Sequence, residues 1–437
     1  MKPARSAALL ILVASMARPL LGAELPAGDP RAEGFDPARL GQIQGVLDGL
    51  VARKKVAGAS TMVVRHGKVV HLAMAGKRDI EANRPLDRST LFRIASMSKP
   101  ITSAAVMVLA DDGALKLDDP VAKFLPEFAS PTVIVIPDSA GGAPAQPSIV
   151  PAERPITIRH LLTHTSGLAY RFAAPPALAP LYVESAISDG LHETPGTIAD
   201  NVKRLARLPL AHQPGAKWTY SLSTDVLGRV VEAASGKTLD EFLRDRLFRP
   251  LKMDDTGFVV PDRKRARLAA VYMPHVDGTF RRAPDTPVQI GPLVFSANFP
   301  KWDTGQYYSG GAGLTSTIDD YARFLQMILD KGELDGVRVL KAETVEAMST
   351  HQIGDLRSAA RIHGYGFGYG FGVVLPDNRD NDPAGPGALS WAGFFHTHFW
   401  IDVRTQTIGI MMSQLAPGAD TGITPALKRL TYEAMTK

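Results

Sequence analysis

The chain contains no cysteine. That excludes disulfides, thiol nucleophiles, zinc–thiolate centres and a lipid-anchored lipoprotein start. No internal stretch approaches the roughly 18 uninterrupted apolar residues of a spanning helix, so no stable membrane anchor is expected. His-Glu-x-x-His and related patterns are missing, so neither a metal nor another cofactor is expected. Charge of one sign is also scarce. The 49 basic and 44 acidic residues leave a net charge of +5, with no basic stripe interleaved with aromatics. Nucleic acid is therefore not an expected partner. Gly-x-Ser-x-Gly is absent, and with it the nucleophile elbow of α/β-hydrolases. No period of about 20–50 residues suggests a repeat array.

Apolar residues make up 45% of the chain and charged residues 21%, which suits a packed globular protein. Its 437 residues allow one large domain or two ordinary ones. The first 23 residues read as an export signal. Lys2 and Arg5 precede a short apolar core over residues 7–16, and Ala17 or Ala23 offers a cleavage point. The mature protein is thus expected to be exported, periplasmic or secreted.

Residues 36–53 have helical spacing, with Asp36 as cap and Pro37 at the first helical position. Residues 59–65 and 68–75 read as a β-hairpin around His66-Gly67. From about 118 to 300 strand signals fade. Helices are expected at 158–163, 198–208, 223–234 and 239–248, broken by proline-rich loops at 135–155 and 173–180. Strands return at 366–375, 392–401 and 405–413, and residues 425–435 close the chain as a helix. We expect an α+β fold. Residues 24–125 and 300–437 form one discontinuous domain whose antiparallel sheet is flanked by helices. Residues 126–299 form an inserted, mostly helical domain.

Chemistry concentrates at Ser96-Met97-Ser98-Lys99, just before an apolar helical run with Pro100 in its first turn. Positions i and i+3 share a helix face, so a lysine made less basic by burial can take the serine proton. The helix N-terminus favours developing negative charge. Ser-x-x-Lys is common by chance, so partners matter. Tyr220 is one candidate: a phenol beside a lysinium has its pKa pulled down toward the working range. Its bland alternative is a tyrosine stacked beside Trp218. Trp391-Ala392-Gly393-Phe394 is read as the opening of a late strand. Gly393 would admit a ligand closely, and the Phe394 N–H would pair with that of Ser96 as an oxyanion hole. A glycine bulge is the alternative. His396 and His398 would share a strand face, and Trp302, Tyr307 and Tyr308 are placed beside an acyl pocket or in the core.

These segments resemble the serine β-lactamase and penicillin-binding superfamily, in its class C-like branch, and most of all the family VIII carboxylesterases. Ser96-x-x-Lys99 matches the nucleophile motif. The run from Thr157 to Leu168, the segment Ser309-Gly310-Gly311-Ala312-Gly313-Leu314 and Asp320-Tyr321-Ala322 match in order. Tyr220-Ser221-Leu222 stands at the Tyr-x-Asn position, and Trp391-Ala392-Gly393 at the Lys-Thr-Gly position. The resemblance implies a β-lactamase/transpeptidase-like fold and a Ser96, Lys99, Tyr220 acyl-enzyme mechanism. Trp391, Gly393 and Leu222 would be substrate-binding. Leu222 and Trp391 replace polar groups that meet an anionic amide, which favours uncharged ester substrates of short to medium acyl chains. A β-lactam is a further possible ligand, with side activity on cephalosporins. The other readings are a β-lactamase or D-amino-acid peptidase, an acyltransferase, or a non-catalytic penicillin-binding-like sensor.

Overall fold

The computed structural model describes residues 23–136, 146–300, 307–356, 364–378 and 381–436. The export-signal core and Trp302 lie outside the described residues. Helix α1 (Pro37–Ala52) begins where expected. The Asp36 carboxylate accepts from the Ala38 N–H at 2.9 Å, and Leu40, Ile43, Leu47 and Leu50 form its buried stripe. Strands β1 (Gly58–Arg65) and β2 (Lys68–Asp79) form the expected hairpin, followed by the short β3 (Arg84–Pro85).

Five more strands come from the C-terminal part of the chain: β4 (Tyr365–Phe367), β5 (Gly372–Val374), β6 (Leu389–Gly393), β7 (Thr397–Asp402) and β8 (Thr407–Ser413). The sheet order is β4-β5-β6-β7-β8-β1-β2-β3, antiparallel throughout. The β1–β8 seam thus joins the two ends of the chain.

Two of the three expected late strands are really hairpins. In the first, the Gly368 N–H donates to the Phe371 carbonyl at 2.8 Å and closes a turn between β4 and β5. In the second, the His396 N–H donates to the Gly393 carbonyl at 3.0 Å, and His396 has φ 67°. Trp391-Ala392-Gly393 therefore closes β6 rather than opening a strand. His396 sits in the turn and does not share a strand face with His398.

The middle region is helical at Ile158–Leu162, Ile198–Leu205, Ser223–Ser235 and Leu239–Leu243. It is not free of strands, because three short ribbons decorate it. They pair Thr132–Val135 with Ser148–Pro151, Tyr272–Pro274 with Phe280–Arg282, and Val288–Ile290 with Leu293–Phe295. Strands of three or four residues are too short to show period-2 alternation, which is why composition hid them.

Alternation along the long strands sorts the core into two layers. Val63, Trp400 and Met411 pack with α1 and the last helix, Ile423–Glu433. Phe399, Ile401, Ile408, Ile410 and Met412 face the other way, toward helix α2 (Ser98–Asp111) and the helix Ile318–Leu329. Residues 98–109 of α2 are buried without a break, so it is the central post of the molecule. Trp400 lies across Gly409, its cross-strand partner, whose missing Cβ leaves room for the indole. Gly409→Ala should cost about 1–3 kcal/mol by overpacking, read as a lower urea midpoint at unchanged slope.

Candidate active site

Ser96 occupies a single tight turn, Ala95–Met97, that runs directly into α2. Ala95 has φ 40°, a left-handed conformation that costs a non-glycine residue about 1–3 kcal/mol. Neighbouring contacts pin the turn. The Ile94 N–H donates to the Leu314 carbonyl at 3.1 Å, and the Tyr321 hydroxyl donates to the Met97 carbonyl at 2.9 Å. The Leu314 N–H donates to the Ser98 hydroxyl at 3.1 Å.

One helical turn on, Lys99 Nζ lies 3.1 Å from Ser96 Oγ. Tyr220 reaches the same oxygen from the helical region, its hydroxyl donating at 2.7 Å. The backbone beside Tyr220 is tied at two points. The Thr219 N–H donates to the His164 carbonyl at 2.9 Å, and the Tyr170 N–H donates to the Tyr220 carbonyl at 3.2 Å. The Tyr220 ring packs against His164, Trp218 and Trp391 with centroids 5.1, 6.1 and 5.7 Å away.

Three further groups complete the surroundings of Lys99. Its ammonium donates to the Tyr170 hydroxyl at 3.0 Å and to the Gly311 carbonyl at 2.9 Å. Asp225, on the helix Ser223–Ser235, is also buried there. The Ser309 hydroxyl and Gly311 N–H face it, though neither reaches ordinary hydrogen-bond geometry to its carboxylate.

Burial sets the protonation states. It brings the Lys99 amine down to about 7, with the Asp225 carboxylate opposing the fall. It pushes Asp225 up to about 6, partly offset by Ser309 and Lys99. Tyr220 departs from expectation. Its phenol is pushed up by burial, not drawn down, so it rests protonated. Enclosure outweighs any nearby positive charge because Lys99 is itself held close to neutrality.

A cavity of about 510 Å³ opens over Ser96. Tyr220, Trp391, Gly393 and Phe394 line it, as do Phe172, from the edge of the proline-rich 173–180 loop, and Leu293. A Cβ on residue 393 would collide with the Ile94 carbonyl oxygen and the Thr397 hydroxyl. The end of β6 therefore lies directly against the backbone of the Ser96 turn, and residues 96 and 394 meet at one cavity. Leu222 lies elsewhere. It is fully buried in the main core at the head of its helix, so the position expected to touch substrate packs inward. Tyr307 and Tyr308 also turn away: Tyr307 accepts from Asn201 at 2.8 Å, and Tyr308 packs on Phe258. His160 and His164 do not converge. His160 completes the cap at Thr157, and His164 bonds Ser221 at 3.0 Å.

The reactivity of Ser96 should follow the neutral fraction of Lys99. Labelling by a fluorophosphonate, measured from pH 5 to 9, should rise through a midpoint near 7. Asp225→Asn removes the charge that holds the amine up, so its midpoint should move to lower pH. An unmoved midpoint would show that Asp225 does not act on Lys99.

Residues 43–433 match the family described as Beta-lactamase. Esterase EstB of Burkholderia gladioli is 32% identical, the match covering 92% of this chain and 98% of EstB. Protein Rv1367c of Mycobacterium tuberculosis is 37% identical over 83% of this chain and 86% of its own length. Among solved structures, EstCE1, a hydrolase with promiscuous acyltransferase activity, superposes with a TM-score of 0.79 at 27% identity. That match covers 91% of this chain and 99% of EstCE1. Motifs in their expected order, an antiparallel sheet closed by both chain ends and a match across nearly the whole length agree: the chain belongs to the beta-lactamase family.

Proposed function

We infer that the chain is a carboxylesterase that cleaves esters of short to medium acyl chains through a serine acyl-enzyme. One observation carries the reading. Lys99 Nζ and the Tyr220 hydroxyl converge on a single serine oxygen at an apolar cavity. The similarity to EstB and EstCE1 supports ester substrates.

Neutral Lys99 takes the proton of Ser96 as Oγ attacks the ester carbonyl. The Ser96 and Phe394 N–H groups hold the oxyanion. Tyr220 passes its proton to the departing alkoxide, and the Lys99 proton restores the phenol. Water then attacks the acyl-enzyme by the reverse transfers, releasing the acid and freeing Ser96. Trp391 and Gly393 shape the approach to the serine. No cation stands at residue 391 to meet a substrate carboxylate, which favours uncharged esters and leaves cephalosporin cleavage a side activity. A second reading keeps the same acyl-enzyme but gives the acyl group to an alcohol, as the description of EstCE1 suggests.

Rates on p-nitrophenyl esters of rising acyl length, beside a chromogenic cephalosporin, test this. Turnover should peak at short to medium chains. Ser96→Ala should lower it by about 10³-fold or more, and Tyr220→Phe by about 10²–10⁴-fold. Ester turnover surviving in Ser96→Ala would refute the mechanism. Cephalosporin turnover far above ester turnover would favour a lactamase. Trp391→Lys should tighten binding of carboxylate-bearing lactams, read as a lower KM. An unchanged KM would sink the argument from charge.

A further inference from the structure

An ester has two arms, and the Ser96 cavity meets a different apolar cluster on each flank. One flank carries Phe394 and Leu293 beside Leu191, Phe295 and Phe395. The other carries Trp218, Ile353 and Phe367, with Tyr220 and Trp391 packed against them. The Trp391 and Trp218 rings stand 5.2 and 5.7 Å from the Phe367 ring.

The second flank is hollow. A separate cavity of about 220 Å³ adjoins the first, and Trp218, Trp391 and Ala392 line both. Its remaining wall includes Ile353, Phe367, Tyr365 and His398. A void of about 150 Å³ is enough for a benzene ring, so this one accepts an aryl or cycloalkyl group.

The position of Tyr220 decides which arm enters. Its hydroxyl is at Ser96 Oγ while its ring lies against Trp218 and Trp391, the shared wall. The oxygen that receives the Tyr220 proton belongs to the alcohol. We propose that the second cavity is the alcohol subsite. It takes an aryl or cycloalkyl alkoxy arm of about six to eight carbons. The acyl arm lies against Leu191, Leu293 and Phe394. This inference rests on the esterase reading above.

Two matched ester series separate the arms. The first holds acetate constant and varies the alcohol from ethyl to benzyl to 2-naphthylmethyl. The second holds ethyl constant and varies the acid from acetate to hexanoate. Ile353→Trp fills the second cavity. It should lower the benzyl-to-ethyl ratio of kcat/KM about tenfold, chiefly through KM, and move the hexanoate-to-acetate ratio less than about twofold. Ile353→Ala enlarges the cavity and should raise the 2-naphthylmethyl-to-benzyl ratio, which keeps the test open if the tryptophan variant does not fold. Alcohol ratios unmoved in the folded variants, or acyl ratios that fall instead, would overturn the subsite while leaving the esterase intact. A wild type inactive on both series would overturn the esterase reading and this inference with it.

Discussion

The structure turns on the burial of one amine. Lys99 is 1% exposed, on a helix buried along the whole of its first three turns. An ammonium in that position loses its hydration, and the loss is what brings the amine down toward neutrality. Burial alone would leave a lysine that packs and does nothing. What makes it useful is that its nitrogen is still directed, to the Ser96 hydroxyl, the Tyr170 hydroxyl and the Gly311 carbonyl. Asp225 supplies the counterweight and keeps the amine basic enough to accept a proton. Two carboxyl groups in this region are affected in the same sense: burial raises both Asp225 and Asp189.

Geometry around the nucleophile follows from where the chain ends meet. The sheet is assembled from three N-terminal strands and five C-terminal strands. Its strand β6 can touch the Ser96 turn only because residue 393 has no side chain. The helical region contributes Tyr220 from the opposite side, held by its links to residues 164 and 170. The serine is therefore set at a seam between separately built layers. The strained φ of Ala95 persists because contacts from Leu314 and Tyr321 over-determine the turn.

Much of this arrangement was legible in the sequence, and what was missed has physical reasons. Ser96 and Lys99 were readable because i, i+3 positions share a helix face and the later segments followed in the order the resemblance requires. Gly393 was singled out for a ligand's approach at the opening of a strand, whereas it ends β6 and what it admits is the backbone of the Ser96 turn. Tyr170 gave no comparable signal, since it stands in a loop and meets Lys99 only through the tertiary fold. Asp225 did leave a trace: a carboxylate directly before the apolar helical positions Val226, Leu227, Val230 and Val231. A charge among residues that must be buried calls for a nearby opposite charge, and Lys99 supplies it through space. Leu222 misled because the position matched a family motif while the side chain followed its own hydrophobicity into the core. The late strands were misjudged in number because glycine and aromatic residues continue through their turns, so composition does not change where the chain reverses.

The same enclosure acts on the two proton carriers in opposite senses, and this shapes the chemistry. It favours a neutral amine at Lys99 and a neutral phenol at Tyr220. The groups nearest the serine thus carry less charge before reaction than they would in water. On the proposed mechanism, charge arises when Ser96 attacks and the carbonyl oxygen becomes an oxyanion. In a cavity walled by Phe172, Leu293, Trp391 and Phe394, that new charge is poorly screened by water. Fixed backbone dipoles then act on it more strongly than they would in solvent. The apolar lining from which a preference for uncharged esters is proposed is, for the same reason, a setting in which fixed dipoles stabilise a transient charge most effectively.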